Sequence, residues 1–290
     1  MKTRVKAYAK INLHLDVTGI REDKYHNVET VMQSLSLCDI VDVEIMDGEN
    51  IVIECDQEGV PIDEKNIAYK AAKLYFAELG KQSGVKIKIK KNIPMAAGMA
   101  GGSADGAATL VGLNELFENA IPYDRLLALG AMLGADVPFC IQCGCAYGDG
   151  RGDALKELPS LDESVIFVTA CGGEGVSTPM AYRLLDEKYN NFAGYEKKSL
   201  DALFESLSKN DGSFYEHFFN IFEAPIANER KAVGEIKKTM LDGGALASMM
   251  SGSGPSVFGV FESIESAERT VKTLRDKGYF ASVAFPTKRR

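Results

Sequence analysis

Pro94-Met95-Ala96-Ala97-Gly98-Met99-Ala100-Gly101-Gly102-Ser103-Ala104 is the stretch that decides how this chain is read. Gly98, Gly101 and Gly102 leave backbone amides uncovered by side chains, so a ligand can approach the chain closely. Val85 to Ile89 alternates as a strand before the run. A helix from about Ser103 to Phe117 follows it, with Ser103 and Asp105 as cap candidates. Bare amides at the positive end of a helix bind anions, a polyphosphate above all. No lysine follows the last glycine and the spacing is not G-x-G-x-x-G, so neither a P-loop nor a dinucleotide fold is indicated. Glycines that serve only close packing of strand and helix are the alternative.

Upstream of the loop the chain is mostly β. Val5, Ala7, Ala9, Ile11, Leu13, Leu15 and Val17 alternate with polar residues, the signature of a strand with one buried face. Val28 to Leu37, Ile40 to Ile45 and Ile51 to Cys55 predict further strands, and Asn66 to Leu79 a helix that ends at Gly80. Downstream, Tyr123 to Leu133 has helical spacing. Gly134-Ala-Asp-Val-Pro138 makes a turn before the apolar run Phe139 to Ala146, and Gly148-Asp-Gly-Arg-Gly152 reads as another turn. Beyond it, strands at 165–170, 247–250, 257–261 and 281–285 alternate with helices at 179–185, 200–207, 214–219, 229–241 and 264–277, which predicts an α+β second domain. The 290 residues suit two domains, placed at 1–155 and 156–290.

Composition narrows the function classes. Hydrophobic residues make up 46% and charged residues 26%, ordinary for a globular protein. A net charge of -8 draws the chain neither to nucleic acid nor to an anionic membrane, so small molecules are the expected partners. Lys288-Arg289-Arg290 reads as a solvated end. The start of the chain lacks the unbroken apolar stretch of a signal peptide, and no segment is long and apolar enough to span a bilayer, so a cytoplasmic location is expected. The six cysteines have no disulfide context; Cys140, Cys143 and Cys145 invite a metal reading, but no second pair follows at ligand spacing.

Several single residues could carry chemistry. Asp136 sits on a turn beside Val137, Pro138 and Phe139, where it is either a partly desolvated general base or a turn residue. Lys10 interrupts an apolar strand; it either snorkels outward or pairs with an acid, and Asp136 would satisfy both. His26, in the loop Arg21 to His26, is either a surface residue or, with Tyr25, a surface for a flat base. Ser251-Gly-Ser-Gly-Pro255 is either a hairpin turn or a pocket wall.

In combination these segments resemble one family. Ala9-Lys-Ile-Asn-Leu13, Tyr25-His26, the run from Pro94 to Ser103, Gly134-Ala-Asp-Val-Pro138 and Met250-Ser-Gly-Ser-Gly-Pro255, in that order, resemble the GHMP kinase superfamily over essentially the whole chain. The resemblance implies an α+β, two-domain fold, with an N-terminal ribosomal-protein-S5-like α/β domain and a C-terminal ferredoxin-like α+β domain. It implies ATP with Mg2+ as phosphoryl donor, and the start of the chain and the Tyr-His pair imply a cytidyl-erythritol diphosphate as acceptor. The 2-hydroxyl would be phosphorylated, as a step of the non-mevalonate route to isoprenoid precursors. It implies Lys10 and Asp136 as the catalytic pair, and a triphosphate held by residues 94–104, with Asn66 and Lys91 near the adenosine. Asn12, Tyr25, His26 and Tyr182 would touch the acceptor. The metal ligands are not implied, and a monomer or weak homodimer is expected. Other acceptors, such as homoserine, a mevalonate-type alcohol or a sugar, and a non-catalytic ligand-binding relative remain open. The chain departs from the family at Lys24, where glycine is usual, and at Ala96, Ala97 and Ala100, which are commonly glycine.

Overall fold

A computed structural model describes residues 1–173 and 175–290. Two sheets organise them. Strand β1 (Lys2–Ile20) pairs antiparallel with β2 (His26–Met46), and β3 (Ile51–Cys55), β4 (Gly84–Lys90), β5 (Cys145–Asp149) and β6 (Ala154–Leu158) complete most of a seven-stranded sheet. The two strands expected at 28–37 and 40–45 are one. A register shift opposite Tyr8 and Ala9 absorbs the residues between them, so the pairing continues through the break in alternation.

Helices α1 (Ile67–Leu79), α2 (Gly101–Leu116), α3 (Tyr123–Leu133) and α4 (Val137–Gln142) cover one face of this sheet. Asn66 caps α1, its side chain accepting from the amide of Ala68, and Gly80 closes it in the left-handed region. Every residue of α2 from Ala104 to Asn114 is buried. Its small residues allow that: a Cβ on Gly106 would stand 2.5 Å from Ile67 Cγ2. The apolar run after Pro138 splits, giving α4 first and then β5, because Cys143 and Gly144 take left-handed φ between them.

The second sheet has the order β11 (Phe280–Ala284), β7 (Ile166–Cys171), β10 (Val257–Phe261), β9 (Ala247–Met250), wholly antiparallel. Helices α5 (Thr178–Lys188), α6 (Asp201–Lys209), α7 (Glu223–Glu229), α8 (Lys231–Asp242) and α9 (Ile264–Asp276) belong to this half. The helix expected over 214–219 is only a single turn at Phe214–His217, followed by β8 (Phe219–Asn220), which adds to the edge of β1 in the first sheet. The helix expected over 229–241 is α8, which starts at Lys231 because Arg230, with a ψ of 88°, is not helical and parts it from the unexpected helix α7.

Several features join the halves. One cluster is shared: Ile11, Leu13, Val31 and Leu35 of the first sheet pack with Phe167, Met249 and Phe258 of the second. Asp16 in β1 accepts from Tyr195 Oη at 2.8 Å and from the amide of Lys198 at 2.9 Å. The end of the chain also returns to the first sheet. Thr287 N–H donates to Ser34 O and Arg290 N–H to Gln142 O, each at 2.9 Å, so the basic end expected to be free in solvent has a paired backbone.

Candidate active site

The glycine run curls between β4 and α2, with part of its side chains turned inward. Ala97 and Met99 pack inward on Ala9 and Ile93, and Ala104 is buried within α2. Ala96, Gly98 and Ala100 take φ of 50°, 83° and 59°, the left-handed region that favours glycine. Helix α2 therefore starts at Gly101, with Ala100 in the cap position and no side-chain cap bond. Ser103 and Asp105 lie inside the helix, so the expectation that either caps it does not hold: the left-handed kink at Ala100 starts the helix two residues early. Gly101, Gly102 and Ser103 face a cleft at the positive end of the helix.

The run 251–255, open in sequence between hairpin and site, is the opposite wall. Ser251 Oγ donates to Gly98 O at 3.1 Å and the amide of Ser256 to Ala97 O at 2.9 Å. The contact is so close that a Cβ on Gly98 would lie 2.3 Å from Ser251 O, and one on Gly252 2.8 Å from Gly98 O. Gly252, Ser253 and Gly254 line the same cleft, which encloses about 500 Å³.

On its floor, the period of two in β1 sets Lys10 and Asn12 on one face. Lys10 points into the cleft rather than outward. Its Nζ donates to Asn12 Oδ1 at 2.8 Å and lies 3.7 Å from Asp136 Oδ1. Asn12 in turn donates to Thr30 Oγ1, which donates to His14 O, each at 2.8 Å, so the ammonium rests on a chain of fixed groups. The amide of Lys10 donates to Met99 O at 3.2 Å and ties the strand to the glycine loop. Asp136 stands at the start of α4 with its side chain 40% exposed. A buried cation, a reachable carboxylate and an anion-binding helix start thus share one cleft, which suits phosphoryl transfer to a hydroxyl.

A smaller cavity of about 210 Å³ opens on the other side of the loop, lined by Pro61, Asn66, Pro94, Met95, Gly101 and Gly102 among others. Asn66 is held there by donating to Pro61 O at 2.7 Å. Lys91 is also on its wall, but its ammonium is committed to two buried carboxylates, Asp39 and, at 2.7 Å, Asp105. Burial pushes the Asp105 carboxyl up despite the ammonium beside it. Burial would lower Lys91, yet the two carboxylates outweigh it and raise the lysine.

The residues expected at a nucleobase are only partly together. His26 and Tyr182 stack with centroids 4.4 Å apart, and His26 Nε2 lies 2.7 Å from Asp186 Oδ1. Tyr182 lines the large cleft; Tyr25 is exposed on the loop, under the guanidinium of Arg151 at 5.6 Å. Lys24, the departure from glycine before Tyr25, has φ 67°. Arg151 and Thr30 line the cleft as well. Neither was legible: Arg151 sits in what reads as a plain turn, and Thr30 is one polar residue in a strand. The thiols of Cys140, Cys143 and Cys145 are buried and pushed up by desolvation, so they are poor nucleophiles and ligands.

The comparisons with known proteins identify the family. Residues 66–144 match the family model of the GHMP kinases N terminal domain, and residues 196–279 that of the GHMP kinases C terminal. The 4-diphosphocytidyl-2-C-methyl-D-erythritol kinase of Clostridium perfringens is 40% identical over 97% of this chain and 96% of its own length. The enzyme of that name from Acetivibrio thermocellus is 44% identical over 91% of each. A crystal structure of 4-(cytidine 5'-diphospho)-2C-methyl-D-erythritol kinase superposes with a TM-score of 0.80 at 32% identity, over 98% of this chain and 99% of that one. A homoserine kinase structure from Cytophaga hutchinsonii shares the fold, with a TM-score of 0.75 at 22% identity. The chain belongs to the GHMP kinases, in the family of the 4-diphosphocytidyl-2-C-methyl-D-erythritol kinases.

Proposed function

We infer that this chain transfers the γ-phosphoryl group of ATP to the 2-hydroxyl of 4-diphosphocytidyl-2-C-methyl-D-erythritol, giving the 2-phosphate and ADP for isoprenoid precursor synthesis. The observation that carries the reading is the buried Lys10 ammonium 3.7 Å from Asp136, in the cleft that the glycine loop closes. Asp136 accepts the proton of the acceptor hydroxyl as its oxygen bonds to the γ-phosphorus and the bond to the ADP oxygen breaks. Lys10, locked by Asn12, holds that carboxylate in place. The amides of Gly98 and of Gly101 to Ser103 face the triphosphate, and the cavity beside Asn66 takes the adenosine. Tyr182, with His26 stacked on it and Tyr25 at the rim, receives the cytosine.

Magnesium would arrive with ATP. Such an ion is bound mainly through phosphate oxygens and water and needs few protein oxygens. The Ser103 hydroxyl in the cleft fits that modest demand and would hold it. When bound it neutralises charge on the transferring phosphoryl group.

The test is ADP release on mixing the chain with ATP, magnesium and the cytidyl alcohol. Turnover is expected, and Asp136→Ala should lower kcat by about 10² to 10⁴. A folded chain that binds ATP and forms no ADP would sink the reading.

A further inference from the structure

The buried group formed by Asp39, Lys91 and Asp105 lies outside the chemistry described above. Asp39 is fully buried in mid-strand, and its Oδ1 accepts from the amide of Ile93 at 2.8 Å and from that of Asn92. Its other oxygen takes the Lys91 ammonium. That same ammonium reaches 2.7 Å to Asp105, near the start of α2. One cation therefore joins the entry of the glycine loop, at 91–93, to its exit, at 105. It also runs directly beneath the helix start, since a Cβ on Gly101 would lie 3.3 Å from Lys91 Nζ.

Such an arrangement is costly. Two carboxyl groups and one ammonium are withdrawn from water, burial pushes the Asp105 carboxyl up, and Asp105 Oδ1 has no partner among the described residues. Well-packed apolar residues would hold the same space at lower cost. A hydrophobic pair, however, is non-directional and would leave the loop free to slide. Charged hydrogen bonds with fixed geometry do not.

We propose that Asp39 and Asp105, acting through Lys91, are positioning residues that fix both ends of the glycine loop and thereby set the affinity for the ATP polyphosphate. The Lys91 ammonium in this account does not touch the phosphates. Its two hydrogen bonds are spent on the protein, and its contribution is the aim of the amides at Gly101 and Gly102.

The inference rests on the kinase reading, and calorimetry separates the two. The full chain is titrated with a non-hydrolysable ATP analogue and, separately, with CDP. Asp105→Leu cuts the tie to α2 but leaves the Lys91–Asp39 pair balanced, so the chain should fold. It should weaken the ATP analogue tenfold or more and leave CDP within twofold. Asp105→Asn, whose amide oxygen still accepts from Lys91, should restore analogue binding to within threefold of the unmodified chain. A purely structural role would change the melting temperature and leave the ratio of the two affinities alone. An Asp105→Leu variant that binds the analogue normally, or an Asn variant as weak as the Leu variant, overturns the inference by itself. An unmodified chain that binds no ATP analogue overturns the kinase reading and this inference with it.

Discussion

Gly98 shows how far one residue's conformation reaches. It needs glycine twice over, for its φ of 83° and because Ser251 O occupies the place of a Cβ. Gly98→Ala should therefore destabilise the protein by about 1–3 kcal/mol and raise KM for ATP, measured by denaturant unfolding and steady-state kinetics. At this scale the sequence was informative about identity and poor about roles. Lys10 and Asp136 each had a bland explanation alone, and only their joint occurrence in a known order favoured the pair at 3.7 Å. Lys91 went the other way. A lysine just before a phosphate loop suggests a ligand contact, and nothing local reveals that Asp39, far upstream in β2, has claimed its ammonium. Long-range polar pairing of this kind has no period to read.

For elements, the strongly periodic segments were legible: α1, α3, β4, β9 and β10 lie close to the ranges their patterns predict. The errors fall where a backbone kink overrides side-chain pattern. The two strands that merge into β2 hide a shift of register, and the start of α2 is set by Ala100 in a left-handed conformation that nothing about alanine advertises. That conformation costs an L-residue about 1–2 kcal/mol, partly offset in alanine by its lower entropy when unfolded. Ala100→Gly should thus leave stability unchanged or raise it by up to about 1 kcal/mol, as read from the urea midpoint. Position 98 rejects a methyl group, while position 100 tolerates one at a cost, although the two lie in the same glycine-rich run.

Across the whole molecule, the place where β8 joins the edge of the first sheet carries a titratable group. His14 is buried against Phe219 of β8, its Nε2 has no partner among the described residues, and desolvation lowers it to about 4. An unfolded histidine titrates near 6.5, so between pH 6.5 and 4 the unfolded chain binds more protons than the folded one. Stability from this group is complete above pH 6.5 and is lost as the pH falls towards 4, by about 3 kcal/mol. In urea unfolding, the stability difference between His14→Leu and the unmodified chain should shift by that amount in the variant's favour between pH 7 and pH 4. No sequence pattern could have supplied this. It depends on β8, a two-residue strand that the helical spacing of 214–219 conceals.

The backbone contact between Gly98 and the run 251–255 also limits how the enzyme can move. A backbone bond from the Ser256 amide to Ala97 O and the short Ser251 hydroxyl donating to Gly98 O bridge the nucleotide loop to the second sheet. A lid hinged within the loop would have to break both bonds at once. Closure around ATP must then carry the second sheet along as a rigid lever, so that the grip on one substrate is felt at the helices that frame the other.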